Sequence, residues 1–408
     1  MTPPRTAVRR LALARVISLA GGAAAFTALQ YYIYAETGST LWLSASLFLT
    51  MGVAGFVSPI SGSIGDRFDR KAVMIASDLA GAVCFALLAV PTRPAVLLPI
   101  ALVASLVETP FWAASSAAIP ALVGQEDSGW ANGLLAASRN VGIMLGPVIG
   151  GLLYAAVGPR WVFVGNAVSF VVSAAIVWTV HGRFKTETTQ ADEEEHKGMR
   201  AGFVFVLNDR VLRLIVVAWI VLVAGLGLTM VADLPLVALF QLGPVAYGVM
   251  IAAWGGASAF GSLCGRFMNE TREPLFLFYG TLMIAIGTGV IAVAPWFWLV
   301  VVMSVVWGLG DAAGMVAEET LRQRRTPDAV RSRVTAASMA GWQITNAVSL
   351  LAAGFVVAWV GPRWVYGLGA IAATCAALVM LPVLKITRAE RAGREAEEGR
   401  VLARGDQG

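Results

Sequence analysis

Twelve apolar stretches, each long enough to cross a lipid bilayer, constrain the fold of this chain more than any other feature. A membrane-spanning helix needs about 20 consecutive residues of mainly apolar character. Six such stretches precede a polar segment and six follow it. They lie at residues 11–34, 41–61, 72–91, 96–120, 131–156 and 160–181, and then at 212–236, 245–265, 275–294, 297–317, 334–358 and 362–384. The sequence therefore predicts an all-α membrane protein whose twelve transmembrane helices form two six-helix bundles.

The composition excludes a soluble globular protein. The 408 residues are 58% hydrophobic and only 13% charged, whereas soluble domains contain about 25% charged residues. The net charge of +5 resides in short segments between the apolar stretches, so nucleic acid is not an expected partner. Cys84, Cys264 and Cys375 each lie alone in an apolar stretch, which indicates packing residues rather than a disulfide or a metal site. We expect a monomer in the lipid bilayer that holds no metal ion and no cofactor.

The distribution of positive charge predicts the orientation of the helices. Of the 30 Lys and Arg residues, 25 lie in the N-terminal segment, the even-numbered loops and the C-terminal segment. The odd-numbered loops hold only Arg93, Arg160 and Arg363. Because loops rich in Lys and Arg stay on the cytoplasmic side, we expect both termini to be cytoplasmic. Six tryptophans fall at the predicted outer helix ends, as in an interfacial belt: Trp42, Trp161, Trp296, Trp298, Trp359 and Trp364.

The polar segment divides the chain into an N-terminal bundle at residues 1–181 and a C-terminal bundle at residues 212–385. Residues 182–211 include three consecutive glutamates at 193–195 and several basic residues. This composition favours a cytoplasmic linker with a helix that lies on the membrane surface. Residues 386–408 are highly charged, so we expect a short, flexible cytoplasmic tail.

Two short sequences recur in the second bundle at nearly equal distances. Val157-Gly-Pro-Arg-Trp-Val162 recurs 203 residues later as Val360-Gly-Pro-Arg-Trp-Val365, before the last helix of each half. Gly62-Ser-Ile-Gly-Asp-Arg-Phe68 is echoed 199 residues later by Gly261-Ser-Leu-Cys-Gly-Arg-Phe267, after the second helix of each half. Both copies have the same orientation. They predict a parallel internal repeat, an arrangement typical of transporters whose halves move around a central site.

A charged loop with small residues follows the second helix: Gly62-Ser-Ile-Gly-Asp66-Arg67-Phe-Asp69-Arg70-Lys71. The small residues permit a tight turn, and the carboxylates and cations are able to pair with each other or with helix ends. One interpretation is a gate that holds the cytoplasmic side closed, formed by Gly62, Asp66, Arg67, Arg70 and Lys71. The alternative is that these charges only fix the topology.

The fifth helix carries a regular series of small residues: Gly133, Gly142, Gly146, Pro147, Gly150 and Gly151. Small residues four positions apart let two helix backbones approach closely. Proline bends a helix where a neighbour compensates for the lost hydrogen bond. The series predicts a close packing face, and the second half does not repeat it.

The loop sequence resembles the G-x-L-x-D-R-x-G-R-K-x-x-L signature of the major facilitator superfamily. The fifth-helix series resembles the antiporter motif of its exporters, although a packing face without directional meaning is the alternative. Asp69 replaces the usual glycine, which is similar to the branch of bacterial enterobactin and macrolide exporters. The resemblance covers residues 10–385 and implies two bundles around a central cavity that opens to one side at a time.

The same resemblance implies a function. From this resemblance we expect a secondary active transporter of the bacterial cytoplasmic membrane that exports amphipathic drugs or natural products, with protons as the coupled ion. An importer or an uncoupled facilitator of the same fold is the alternative. An enzyme is not expected, because the two histidines, His181 and His196, lie at or beyond a helix end and no metalloprotease or phosphate-loop motif is present.

Three ionisable residues lie near the middle of predicted spans and are candidates for proton coupling: Glu108, Asp311 and Arg139. Charged groups inside the bilayer are costly and tend to mark pathways or ion pairs. Two interpretations of Glu108 stay open: a structural ion pair with Arg139, or a cavity position that exchanges protons or binds cations. Asp78 is expected to pair with the loop cations, and Asp233 to be solvated.

Polar and aromatic residues of the helices expected to line the cleft are candidates for substrate contact: Gln30, Tyr31, Tyr34, Trp112, Trp254, Gln343 and Asn346. Aromatic walls with a few acidic groups suit bulky, amphipathic and cationic compounds.

Overall fold

The computed structural model of the protein describes residues 4–57, 68–90, 93–124, 127–182, 184, 199–327 and 330–405. Twelve helices in these ranges are long and apolar enough to cross a membrane. The first six are α1 (Pro4–Thr37), α2 (Thr40–Val57), α3 (Arg70–Leu88), α4 (Pro94–Val123), α5 (Ser128–Val157) and α6 (Pro159–Trp178). The second six are α7 (Arg210–Leu239), α8 (Pro244–Phe267), α9 (Glu273–Val293), α10 (Phe297–Arg325), α11 (Arg331–Val360) and α12 (Pro362–Gly405). The predicted all-α fold with twelve spanning helices is confirmed.

Because successive helices cross the molecule in opposite directions, the start of α1 and the end of α12 lie on one side, here called the terminal side. The other side is called the far side. The six tryptophans predicted for an interface lie at far-side helix ends, and their exposed fractions run from 36% for Trp42 to 87% for Trp359.

The two halves use the same helix pairings. Helix α1 packs against α5 and α6, and α7 packs in the same way against α11 and α12. Helix α3 packs against α4 and α6, as α9 does against α10 and α12. Between the halves, α5 contacts α8 and α2 contacts α11, so the interface keeps the same symmetry. These equivalent pairings confirm the predicted parallel repeat.

The repeated Val-Gly-Pro-Arg-Trp-Val sequence forms the same far-side turn in each half. Gly158 ends α5 with a φ of 84°, and Gly361 ends α11 with a φ of 81°. The N–H of each glycine donates to the carbonyl four residues earlier, at Tyr154 and Val357. Glycine adopts this left-handed conformation without steric cost. The proline that follows begins the next helix, at a position where its missing N–H has no helical partner to lose.

Helix α2 contains a π-helical segment at Phe48–Val53. Within it, Gly52 is buried against the ring of Phe48 and the methyl group of Ala347 on α11. Short π-helical segments inside α-helices are frequent at functional positions. The adjacent Met51 lines the cavity described below.

Helix α12 extends far beyond its predicted span. The sequence predicts a flexible tail from residue 386, but the helix continues to Gly405. Arg325 of α10 pairs with Glu390 at 2.7 Å, and Arg394 pairs with Glu270 of the α8–α9 loop at 3.4 Å. A network of several charges contributes more than one isolated surface pair, and this network holds the extension against the C-terminal half.

A short linker helix, Met199–Asn208, connects the halves. Its Gly202 lies against the backbone carbonyl of Arg333 on α11, where an added Cβ would be 2.2 Å from the oxygen. Asp209 then caps α7, because its carboxylate accepts from the N–H groups of Val211 and Leu212. The helix predicted for the linker therefore packs against α11. The glutamates at 193–195 lie outside the described residues.

Candidate functional site

A cavity of about 380 Å³ lies in the N-terminal half, beside the interface with the C-terminal half. Residues of α1 to α6 line it, together with Ile251 of α8. The wall is mainly apolar and includes the aromatic rings of Trp112 and Phe170. Its two acidic residues are Asp78 and Glu108. An apolar, aromatic cavity with a few polar groups is the usual form of a small-molecule site.

Asp78 is buried on α3, with 1% of its surface exposed. Neither carboxylate oxygen has a hydrogen-bond partner among the described residues. Its polar neighbour on α6, Ser173, has a hydroxyl that is also buried and without a partner there. Asp78 does not pair with the described loop cations Arg70 and Lys71, because it lies eight residues beyond Arg70, about 12 Å along the helix. Arg67 lies outside the described residues, so its pairing with Asp78 stays a prediction.

Glu108 lies on α4 in the wall of the same cavity. Among the described residues no ion pair joins it to Arg139, which is exposed on α5. The ionisable residue that shares the cavity wall with Glu108 is Asp78. Two carboxyl groups therefore share one apolar cavity, and it is costly for both to carry charge at once. In the structure Glu108 therefore lies in the cavity wall, and no ion pair with Arg139 is present among the described residues.

Arg15 is a buried cation that was absent from the predicted site. Only 6% of its surface is exposed, and its guanidinium lies 4.7 Å from the ring centroid of Trp112. Its Nε has no hydrogen-bond partner among the described residues. The sequence held a signal for both Arg15 and Asp78, because an ionisable group inside an apolar span is a functional candidate by itself.

The two acidic residues considered in the C-terminal half lie elsewhere. Asp311 is partly buried on α10 and is not in the lining of this cavity. Asp233 is buried near the far-side end of α7 and accepts a hydrogen bond of 2.5 Å from the hydroxyl of Tyr366 on α12. The prediction that Asp233 is solvated is therefore wrong. Tertiary packing supplies a hydrogen-bond donor, which offsets the free-energy cost of burying the carboxyl group.

Two members of the predicted gate bind helix ends on the terminal side. Arg70 is buried and donates at 2.7 Å to the carbonyl of Ala117, where α4 breaks before its last short segment at Ile119–Val123. Lys71 donates to the carbonyls of Trp178 and Val180 at the end of α6, at 2.8 and 2.9 Å. Cations are favourable beside the free carbonyls of a helix C-terminus. The other members, Gly62, Asp66 and Arg67, lie outside the described residues. The gate therefore stays a prediction.

Three glycines of the fifth-helix series lie directly against α1. An added Cβ at Gly142 would be 2.5 Å from the Cβ of Leu19, and one at Gly146 would be 2.5 Å from the Cβ of Ala23. Gly150 lies as closely against the backbone of Ala24, the residue that follows Ala23. No larger residue fits at these positions without separating the two helices.

The same helix contacts the other half through its far-side end. An added Cβ at Gly151 would be 2.6 Å from the carbonyl oxygen of Pro244 on α8. Gly248 of α8 lies against the carbonyl of Pro147, where an added Cβ would be 2.3 Å away. Gly248 was not predicted, because only the tertiary structure brings α8 to α5. Gly133 differs from the rest of the series, since an added Cβ there meets no atom within 4 Å.

Of the seven residues predicted to contact a substrate, Trp112 lines the cavity. Tyr31 packs edge-on against Tyr154, with ring centroids 4.9 Å apart. Trp254 packs against Trp307 at 6.4 Å. Residue type alone does not show which face of a helix turns toward a cavity. The predicted residues that are not in this lining are Gln30, Tyr31, Tyr34, Trp254, Gln343 and Asn346.

Comparison of the sequence with curated proteins finds bacterial exporters. The chain is 28% identical over 340 residues to the enterobactin exporter EntS of Shigella boydii, and the match covers 80% of each chain. The EntS protein of an Escherichia coli O127:H6 strain is 27% identical over 340 residues, with the same coverage.

Comparison of the structure finds transporters of the same architecture. The nucleoside transporter NupG superposes with a TM-score of 0.76 at 12% identity, over 93% of this chain and 99% of that chain. At this level of identity the likeness shows the fold alone. The family model of the Major Facilitator Superfamily matches residues 11–288 and residues 263–405. With twelve spanning helices in two equivalent halves, the chain belongs to the Major Facilitator Superfamily of membrane transporters.

Proposed function

We propose that this protein exports amphipathic small molecules by alternating access, with protons moving in the opposite direction. Glu108 and Asp78 are the proton-binding groups, and the apolar cavity beside Trp112 holds the substrate. One observation carries the proposal: two carboxyl groups without a cation partner among the described residues share a single apolar cavity.

The cost of a buried charge links cavity opening to proton exchange. When the cavity is open to water, Glu108 and Asp78 are hydrated and ionise. When the cavity closes, an isolated carboxylate in an apolar wall is costly, so the closed form favours bound protons. A proton gradient then drives the cavity from one side to the other.

Two observations favour export over uptake. The curated relatives that match 80% of the chain are named enterobactin exporters. The glycine series on α5 resembles an antiporter motif, and in this structure it contacts both α1 and α8. A helix held this closely on two sides moves together with its neighbours, so a tilt of one half displaces the cavity wall as a unit.

Neutral substitutions of the two carboxyl groups test the coupling. Glu108→Gln and Asp78→Asn keep the side-chain size and remove the exchangeable proton. In inside-out vesicles, both variants should lose accumulation of the amphipathic probes phenylnaphthylamine and anilinonaphthalene sulfonate driven by a pH gradient, whereas exchange down a substrate gradient should survive. Glu36→Gln changes an exposed carboxylate at the far-side end of α1 and should behave like the wild type.

Each alternative gives a different result. Wild-type accumulation by both variants would contradict the coupling role and leave Asp311 as the next acid. Accumulation only in right-side-out vesicles would indicate an importer, and insensitivity of the wild type to the gradient would indicate a facilitator. Because no ion pair joins Glu108 to Arg139 among the described residues, Glu108→Gln should melt close to the wild type. If Glu108→Gln instead lowers the melting temperature strongly and the additional change Arg139→Gln recovers it, Glu108 and Arg139 form an ion pair.

We propose in addition that the terminal side faces the cytoplasm. The support is the concentration of 25 of the 30 Lys and Arg residues on that side. The same inside-out vesicles test it, because protease added outside should remove the segment that follows Lys385. Protection of that segment would place the termini on the other side.

A further inference from the structure

Two positive charges lie one helical turn from the cavity, toward the terminal side. Ser18 and Leu19 of α1 line the cavity, and Arg15 precedes them by three and four residues on the same helix face. Ile143 of α5 also lines the cavity, and Arg139 precedes it by four residues. The two arginines therefore continue the surface of the cavity on two neighbouring helices.

The packing of α1 on α5 brings these arginines to the same level. Gly142 of α5 lies against Leu19 of α1. One turn closer to the terminal side, Arg139 comes level with Arg15, and their positive charges act on each other.

Neither arginine has an ion-pair partner in the part of the chain that the structure describes. Arg15 is 6% exposed, its Nε lacks a hydrogen-bond partner there, and its guanidinium lies over the ring of Trp112. Arginine stays protonated at physiological pH. A buried guanidinium beside a second positive charge is costly, and an anionic group placed between them would offset that cost.

We infer that the exported compound carries an anionic group that binds between Arg15 and Arg139, with an aromatic body that extends past Trp112 into the apolar cavity. Guanidinium groups bind carboxylates, sulfonates and phosphates through paired, charge-assisted hydrogen bonds. The inference rests on the proposed export function, because it names the substrate class of the same site. It replaces the cationic compounds expected from aromatic and acidic residues alone.

Two probes with the same ring system test the substrate class. Anilinonaphthalene sulfonate carries an anionic group, and phenylnaphthylamine lacks it. Binding of each probe to the full-length protein in phosphatidylcholine vesicles is measured by energy transfer from tryptophan, with empty vesicles subtracted. The wild type should bind the sulfonate about tenfold more tightly than the amine, once the vesicle background is removed.

Substitutions test whether the preference for the sulfonate depends on the two arginines. Arg15→Gln and Arg139→Gln should each lower affinity for the sulfonate about tenfold and leave affinity for the amine unchanged, which also shows that the variants are folded. Arg15→Lys should recover part of the preference, since it keeps the charge but not the paired hydrogen bonds. Arg160→Gln is the matched control, because Arg160 is exposed on the far side.

A wild type that binds both probes equally would overturn the inference, as would a preference that survives in both glutamine variants. The binding measurement needs no proton gradient, so a charge preference that depends on Arg15 stands even if gradient-driven export fails. Repetition with phosphatidylglycerol vesicles tests a second source of the anion. If the preference disappears only there, the arginines bind a lipid headgroup and the substrate assignment is wrong.

Discussion

Asp69 shows how one side chain of the predicted gate loop takes a local structural role. It stands immediately before α3, and its carboxylate accepts a hydrogen bond of 2.8 Å from the N–H of Ala72. This is the geometry of a helix N-cap, in which the side chain satisfies one of the free N–H groups of the first turn. The aspartate at a position where the family usually has glycine is therefore explained by capping.

Removal of this cap should destabilise the protein in a graded way. We expect Asp69→Ala to lower the free energy of unfolding by about 1 kcal/mol, and Asp69→Gly by only a few tenths. Asp69→Asn keeps an acceptor oxygen and should stay close to the wild type. Thermal unfolding of the detergent-solubilised variants measures the order. Equal melting temperatures for the alanine and asparagine variants would show that the cap contributes nothing.

At the scale of elements, α5 is the helix on which the arrangement depends. It packs on α1 within the N-terminal half and on α8 across the interface. Its glycines allow both contacts, and its cavity-lining residues Ile143 and Pro147 lie between them. Close packing therefore positions one wall of the cavity relative to both halves.

The series offers its own matched control. Gly146→Ala places a methyl group 2.5 Å from the Cβ of Ala23, and such overpacking costs about 1–3 kcal/mol. We expect this variant to insert into the membrane normally, to unfold at a lower temperature and to lose transport. Gly133→Ala meets no atom within 4 Å and replaces an exposed helical glycine, which should stabilise the helix by up to about 1 kcal/mol. Full transport by a stable Gly146→Ala protein would contradict a functional role of the close contact.

At the scale of the whole molecule, two side-chain hydrogen bonds between described residues join the halves on the far side. Thr40 of α2 donates its hydroxyl to the carbonyl of Gly354 on α11 at 2.7 Å. One turn further along α2, the hydroxyl of Ser44 donates to the carbonyl of Leu350. These bonds hold α2 and α11 together on the far side in this conformation, and the alternating access that we propose requires them to break.

Loss of one of these bonds should shift the conformational balance. A hydrogen bond contributes about 1 kcal/mol, so Ser44→Ala should raise the ratio of far-side-open to far-side-closed molecules about fivefold. Spin labels at the exposed Leu41 and Phe355 report the distance between α2 and α11. Thr374→Ala removes a bond within α12 and is the control. An unchanged distance distribution in the Ser44→Ala protein would show that the bond does not hold the halves together.

The sequence by itself determined the number of helices and the repeat. In lipid, an apolar stretch of about 20 residues satisfies its backbone hydrogen bonds within itself by forming an α-helix. Glycines before proline at 158 and 361 mark equivalent turns, because their left-handed conformation is a local property of the backbone. Both are short-range features, so no knowledge of the tertiary structure is needed to predict them.

Only the tertiary structure decided which charged groups meet. Glu108 was a candidate from its depth in the bilayer, and the cavity that it lines also contains Asp78 but not Arg139. A helix presents a new face every residue, and the sequence does not state which face turns toward which neighbour. Asp78, Arg15 and Trp112 come from three helices that packing brings to one cavity and its rim. Their chemistry depends on distances between helices, which residue spacing within a helix does not encode.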